Sequence, residues 1–587
     1  MKKIMSGNEA IARGAYEAGC VIASAYPGTP STEILENFAL YDGVYAEWAP
    51  NEKVAFEVAS GASIGGARSL STMKHVGLNV AADPLFTMAY EGVNGGFVVV
   101  SADDPGMHSS QNEQDNRLYA KHSKIALVEP SDSQECKDFM IEAYKISEEY
   151  DTVVLFRSTT RVSHSKSIVE LGEKVSVPVK KYEKNIKKYI MTPAHARTKH
   201  YEVEERLEKL REYSNRTPLN RTEMNNRKIG IITSGISYQY AKEVFGDDVS
   251  YLKLGFTHPL PDKLIKDFSE KVEKLYVVEE NEPYIETFIK AMGIECIGKE
   301  VIPICGELNP EIIRKGILNN QVEKSYSIDV KAPTRPPVLC AGCPHRGMFY
   351  TISKMKNVIA TGDIGCYTLG MVAPLSVTDT VICMGASISA GLGIQKARQM
   401  AGEQAKVFSF IGDSTFFHSG VTGLINSVYN NIPIVTCILD NRITGMTGHQ
   451  ENPGSGKTLQ GKEAPMVDIE SLVLSIGIKK ENLRVVDPYN LKQTEDAVKE
   501  AYNSSEPFVI ITKQPCALIK EVSKRRAKLK CRVIKEKCVK CKACLKTGCP
   551  ALSQDKDGKT RIDHNACNGC EICKQACKFG AIEKVGE

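Results

Sequence analysis

Nine of the 19 cysteines in this 587-residue chain fall between Cys531 and Cys577. Eight of them form two similar halves. Cys538, Cys541, Cys544 and Cys549-Pro550 read C-x2-C-x2-C-x4-C-P, and Cys567, Cys570, Cys573 and Cys577 read C-x2-C-x2-C-x3-C. The stretch has too little apolar material for an ordinary core, so it is expected to fold around inorganic groups held by thiolates. In a small secreted domain such density would mean disulfides. Here the first residues, MKKIMSGNEA, have two lysines but no apolar leader, which points to metal or redox chemistry in the cytoplasm. Zinc ribbons also use C-x2-C pairs, but three-plus-one runs with no histidine inside them argue against zinc. Cys531 lies outside the pattern and is expected to be an ordinary thiol.

The remaining chain is too long for one core, and a prior of about 100–200 residues per domain implies several. Over the full sequence, 42% hydrophobic and 25% charged residues are ordinary for a globular protein. A net charge of +4 gives no electrostatic case for nucleic acid, and no apolar run reaches the length of a membrane span. Short apolar runs alternate with helical patterns, which predicts an α/β protein with parallel sheets. Five segments are expected: an α/β domain over 1–165, a charged linker with one exposed helix (Glu202 to Tyr213) over 166–227, a small α/β domain over 228–330, a further α/β domain over 331–525, and the cysteine-rich block over 528–587.

Within 331–525, the run Val407 to Ile411 stops at Gly412-Asp413-Ser414, and a second run, Ile432 to Leu439, ends in Asp440-Asn441. Both are of strand length, so the stretch Phe408 to Gly448 reads as a βαβ unit with oxygen-bearing side chains at both strand ends, where open α/β sheets place ligands. Asp413 and Asn441 are hard donors suited to Mg²⁺. Upstream, Gly385-Ala386-Ser387 would permit close backbone approach to a phosphate or a cofactor ring, although small helix-packing residues look the same.

The Gly412 to Asn441 stretch resembles the thiamine-diphosphate motif, with Ser414 for its second glycine and Asp440 for its first asparagine. That resemblance implies Mg²⁺ on Asp413, Asn441 and the Ile443 carbonyl. The cysteine repeat resembles a two-cluster bacterial ferredoxin, in which the remote cysteine of each run serves the other cluster. On that pattern Cys538, Cys541, Cys544 and Cys577 hold one 4Fe–4S cluster, and Cys567, Cys570, Cys573 and Cys549 the other. A thiamine-like domain joined to a ferredoxin-like one resembles the 2-oxoacid:ferredoxin oxidoreductases, which pass electrons from a decarboxylated 2-oxo acid to iron–sulfur clusters and trap the acyl group on coenzyme A.

Within that family, Ala25-Tyr-Pro-Gly-Thr-Pro-Ser resembles the turn whose threonine, here Thr29, lies near the substrate. Asn51-Glu52-Lys53-Val54-Ala55 resembles the segment carrying the glutamate that bonds N1′ of the aminopyrimidine. Cys340, Cys343, Cys366 and Cys516 resemble four cysteines of a third cluster; thiols that have lost the metal are the alternative. Segment 228–330 looks like a transketolase C-terminal-type domain. SGNEAIARGAYEAG, MKHVGLNVAADP, GMHSSQNEQDNR, CAGCPHRG, GDIGCYTLG and LDNRITGMTGHQ resemble the large (alpha) subunits of indolepyruvate ferredoxin oxidoreductases. Arylpyruvate substrates, an external ferredoxin and a separate small beta subunit are then implied, with His75 and Arg117 near the substrate and Arg117's fork suited to a carboxylate. Pyruvate or another 2-oxo acid is the competing substrate. A non-oxidative 2-oxoacid decarboxylase, or an electron-transfer module with a vestigial thiamine domain, are the competing functions.

Overall fold

A computed structural model describes residues 1–319, 330, 332–333 and 335–586. The chain divides into two compact units, Met1–Val330 and Lys331–Glu587. Both are α/β, with largely parallel sheets. Among the described residues no helix is long and apolar enough to cross a membrane.

The first unit is built on a seven-stranded sheet in the order Phe256–His258, Ala126–Val128, Val154–Thr159, Phe97–Asp103, Ser69–Lys74, Ile22–Ala25, Tyr45–Trp48. The last six run parallel, and Phe256–His258 adds antiparallel at the edge. The central Phe97–Asp103 strand is buried along its whole length, as expected of a parallel strand covered on both faces. A second sheet takes the order Lys274–Val278, Ile229–Ser234, Ser250–Leu254, Arg221–Glu223. The edge strand Phe256–His258 comes from the segment expected to stand as its own domain. The boundary expected at residue 228 therefore falls inside one compact body.

The helix expected over Glu202 to Tyr213 runs over Pro193–Ser214, and it is not simply an exposed linker helix. Thr192 caps it, accepting from the His195 N–H. Val203, Leu210 and Tyr213 are buried, and Arg206 donates to the carbonyls of Ala89 and Asp151. Its dense charge hides a narrow apolar stripe, and a long charged side chain serves as a buried strap.

The second unit carries a six-stranded, all-parallel sheet: Thr380–Val381, Val358–Gly362, Lys406–Gly412, Val435–Asp440, Phe508–Lys513, Leu483–Val486. Phe408 and Phe410 pack into one core layer, while Val407 and Ile411 pack into the other. Alternate side chains thus feed opposite faces, which is why the run is apolar throughout. The cysteine-rich block has two short antiparallel ribbons, Lys530–Val533 with Ile582–Val585 and Leu552–Gln554 with Thr560–Ile562. Its core amounts to Cys531, Cys544, Ile562 and Ile582 with a few partly buried neighbours. The block is tied to the rest of its unit by buried Arg346, which donates to the Thr547 carbonyl, and by Gln575, which donates to the Tyr489 carbonyl.

Candidate cofactor and cluster sites

In the first unit, the C-terminal ends of the parallel strands gather the polar residues. Thr29 follows the Ile22–Ala25 strand, and its carbonyl accepts from Ser109 Oγ at 3.2 Å. Glu52 opens the helix Glu52–Ile64, which Asn51 caps by accepting from the Val54 N–H at 2.9 Å. Glu52 is 6% exposed. A Cβ placed on Gly77 would come within 2.7 Å of Glu52 Cγ and 2.8 Å of its Oε1. Glycine at 77 therefore makes the space this carboxyl occupies. His75 is fully buried, its Nε2 3.2 Å from the Asn112 carbonyl. Burial, then the neighbouring Lys74 charge, lowers its pKa, so the ring is neutral at pH 7.

Arg117 departs from expectation. Its Nε lies 2.9 and 3.0 Å from the two Asp115 oxygens, and Nη1 lies 2.6 Å from Glu279 Oε2. Nη2 also donates to the carbonyls of Glu280 and Glu282. The carboxylate on its fork is Asp115's, and the group is 1% exposed. Its main acidic partners, one 162 residues away, turn the expected substrate contact into a structural ion-pair network.

The second unit places Gly412, Asp413 and Ser414 at the end of one strand and Asp440 and Asn441 at the end of its neighbour, with Gly412 in register with Leu439. A Cβ on Gly412 would come within 2.4 Å of the Tyr367 ring, so only glycine fits. Asp413 is 2% exposed and accepts from Asn452 Nδ2 at 3.1 Å. Burial first, then the Asp440 charge, pushes its carboxyl up to about 7. Among the described residues no cation pairs with it. Immediately beyond, the backbone widens into a π-helical turn over Phe416–Gly420, a distortion that recurs at functional sites.

Both departures from the thiamine motif have local causes. Ser414 Oγ accepts from Thr444 Oγ1 at 2.9 Å, tying the two strand-end loops together. Asp440 pairs with Arg442, whose Nε lies 3.2 Å from its Oδ2. Asn441 Oδ1 accepts from the Ile443 N–H at 3.2 Å. Gly385 has φ +85°, a conformation that favours glycine, and its N–H donates to Asp363, as does the N–H of Ser387. The segment Gly385-Ala386-Ser387 thus starts the helix Ala386–Met400 against a buried carboxyl.

The donor set fits a divalent cation: a buried acid without a cation, an amide oxygen and a second acid nearby.

Cys340 is within electrostatic reach of Cys343, Cys366 and Cys516, and Cys366 of Cys343 and Cys516. Burial pushes Cys366 up to about 11, with Cys516 and Cys340 adding to it. Cys343 is pushed to about 12 by burial, with Cys366 and Cys340 adding. Cys516 is raised by burial and by Cys340.

In the cysteine-rich block there are two cavities. One is lined by Cys538, Cys541, Cys544 and Cys577 together with Val533, Thr560 and Ile582. The other is lined by Cys549, Cys567, Cys570 and Cys573 with Ala551, Leu552 and Ile562. Each is apolar but for its thiols and a few polar edges. Among the described residues no three His, Cys, Asp or Glu side chains converge on a point that one ion could fill. Clustered thiols lining an apolar cavity are the kind of ligand set that iron–sulfur cages use. Cys531 is not the outlying thiol its position in the chain implies. It lines the second cavity, and its N–H donates to Cys567 Sγ at 3.3 Å. The Lys530–Val533 ribbon carries it there, a pairing that cysteine spacing does not encode.

Comparison with known proteins agrees with this layout. Residues 13–226 match the family model described as pyruvate flavodoxin/ferredoxin oxidoreductase, thiamine diphosphate-binding. Residues 363–512 match the thiamine pyrophosphate enzyme, C-terminal TPP-binding domain, and 560–583 match the 4Fe-4S binding domain. The chain is 42% identical over 617 residues to indolepyruvate oxidoreductase subunit IorA of Archaeoglobus fulgidus, covering 99% of this chain and 97% of that protein. It is 41% identical to the IorA subunits of Methanothermobacter marburgensis, over 610 residues, and of Pyrococcus horikoshii, over 633 residues. Those matches cover 99% and 100% of this chain and 97% of each relative. With thiamine-diphosphate-binding and 4Fe–4S domains and this likeness along its whole length, the chain belongs to the family of IorA subunits of indolepyruvate oxidoreductase.

Proposed function

We propose that this chain oxidatively decarboxylates arylpyruvates such as indolepyruvate in the cytoplasm, together with a small beta subunit. The balance is arylpyruvate, coenzyme A and two oxidised ferredoxins giving aryl-acetyl-CoA, CO₂, a proton and two reduced ferredoxins. The observation that carries the reading is the pair of cysteine-lined cavities, whose thiols suit single-electron carriers, in a chain that also matches a thiamine-type domain. Thiamine diphosphate, when bound, supplies the electron sink for loss of CO₂ from a 2-oxo acid.

The chain's own residues have these roles. Glu52 holds a proton at its carboxyl for N1′ of the aminopyrimidine. Asp413, Asn441 and the Ile443 carbonyl hold Mg²⁺, and the Gly385-Ala386-Ser387 and Gly412-Asp413-Ser414 backbones admit the diphosphate. Thr29 and His75 border the substrate, while Arg117 is occupied by Asp115 and Glu279. Cys538, Cys541, Cys544 and Cys577 hold one 4Fe–4S cluster; Cys549, Cys567, Cys570 and Cys573 hold a second. Cys340, Cys343, Cys366 and Cys516 hold a third, supported by their mutual proximity.

The test is anaerobic purification with the small subunit, then ferredoxin reduction across indolepyruvate, phenylpyruvate, pyruvate and 2-oxoglutarate. Fastest turnover with an arylpyruvate is expected. Fastest turnover with pyruvate would replace the substrate assignment, and aldehyde release without ferredoxin reduction would replace the reaction. Glu52→Gln is expected to abolish ferredoxin reduction while leaving cluster absorbance intact; retained activity would remove Glu52 from the mechanism.

A further inference from the structure

We propose that Lys74 is the cation that receives the carboxylate of the 2-oxo acid, an assignment that rests on the function proposed above. Lys74 is the last residue of the Ser69–Lys74 strand, at the C-terminal edge of the first unit's sheet, where α/β folds bind ligands. It sits beside both residues assigned to this edge. A Cβ on Gly28 would lie 3.1 Å from Lys74 Cβ, so the Thr29 turn passes directly over its stem. Ser109 bridges the two: its carbonyl accepts from Lys74 Nζ, and its Oγ, 3.4 Å from that Nζ, donates to the Thr29 carbonyl. Three residues on, Gly77 makes the space for Glu52.

The other buried cations of this edge are taken. Arg117 serves Asp115 and Glu279. Arg157 serves Asp103 at 2.6 Å and Glu129 at 2.5 Å. Lys74 is 8% exposed, yet among the described residues its Nζ meets only Ser109 within hydrogen-bond reach. The charged groups facing it are Asp104 and, when protonated, His75. Asp104 attracts it from beyond ion-pair distance and is already held by the Ser109 N–H at 2.8 Å, Ser110 Oγ at 2.6 Å and Thr160 Oγ1 at 2.6 Å. Burial lowers Lys74 to about 8, so the ammonium still predominates at neutral pH.

A buried ammonium without its own carboxylate is costly to fold unless a ligand completes it. Lys406 is the control within the molecule. It is equally buried and also lowered to about 8, and it donates to the Ser504 carbonyl. It opens its strand rather than ending it, at the edge away from Asp413. The chemistry is shared; only the position differs.

The experiment uses the holoenzyme with its small subunit and the variants K74M and K406M. Two probes are titrated by calorimetry: indole-3-acetate and its neutral amide. K74M is expected to weaken indole-3-acetate roughly tenfold or more and leave the amide unchanged. It should also raise the KM for arylpyruvate while the KM for coenzyme A and the cluster absorbance stay as in the wild type. K406M should change none of these. Equal carboxylate affinity in wild type and K74M overturns the assignment even if the enzyme turns over indolepyruvate. A wild type that prefers the carboxylate but reduces no ferredoxin with any 2-oxo acid leaves Lys74 standing and removes the function. Should K74M not accumulate, K74Q must lose the preference and K74R keep it; the reverse overturns the assignment.

Discussion

Two groups of buried acids, one in each unit, are treated in opposite ways. In the first, Asp103, Asp115, Glu129 and Glu279 are met by Arg117 and Arg157 in contacts of 2.5–2.6 Å. In the second, Asp413 has an amide donor and a neighbouring aspartate but no cation among the described residues. Burial acts in both places; compensation is present in only one. A buried acid that the chain neutralises belongs to the fold, whereas one left uncompensated waits for something the chain does not contain.

That contrast can be broken experimentally. Arg117→Met should be the severest change, because it strands Asp115 and Glu279 in the interior. A loss of about 3–5 kcal/mol is expected from urea unfolding of the full chain; a loss under ~1 kcal/mol would mean that the network is not structural. Glu280 tests an intermediate case. It neighbours the same arginines, yet burial raises its carboxyl to about 7, only partly offset by the Leu308 N–H and Arg157. The folded state then holds a proton that the unfolded state has released. Its contribution is fully present below about 4.5 and lost as pH rises through about 7. Glu280→Gln should flatten that pH dependence of stability by up to roughly 3 kcal/mol, and an unchanged slope would show that another group carries it. Asp413→Asn should have the smallest effect on the metal-free fold, within about 1 kcal/mol, since a neutral amide replaces an acid that burial disfavours. Mg²⁺ with thiamine diphosphate is expected to raise the melting temperature of the native chain, and the same variant should lose that shift. Retention of that shift would take Asp413 out of the cofactor site.

These cases also divide what could be read from the chain alone. The Val407–Ile411 run, its stop at Gly412 and the neighbouring Asp440-Asn441 end are local patterns, and the structure keeps each at the expected strand terminus. Period and turn chemistry are properties of a few consecutive residues, so they survive without knowledge of the rest. The cysteine runs are legible for the same reason, since tight ligand spacing is set by the covalent chain.

Partnership across the sequence was not legible. Arg117 looks like a substrate fork until Glu279 arrives from a distant strand end. Cys531 looks solitary until a ribbon pairs it beside Cys567. Lys74 lies inside the MKHVGLNVAADP run but gains meaning only when Ser109 joins it to Thr29 and the neighbouring buried arginines are occupied. The α/β class, the strand-end acids and the clustered thiols follow from residue order, because short-range backbone preference and spacing carry them. Tertiary structure alone decided which buried charges are neutralised, because a charge's state depends on every group brought within a few ångströms of it.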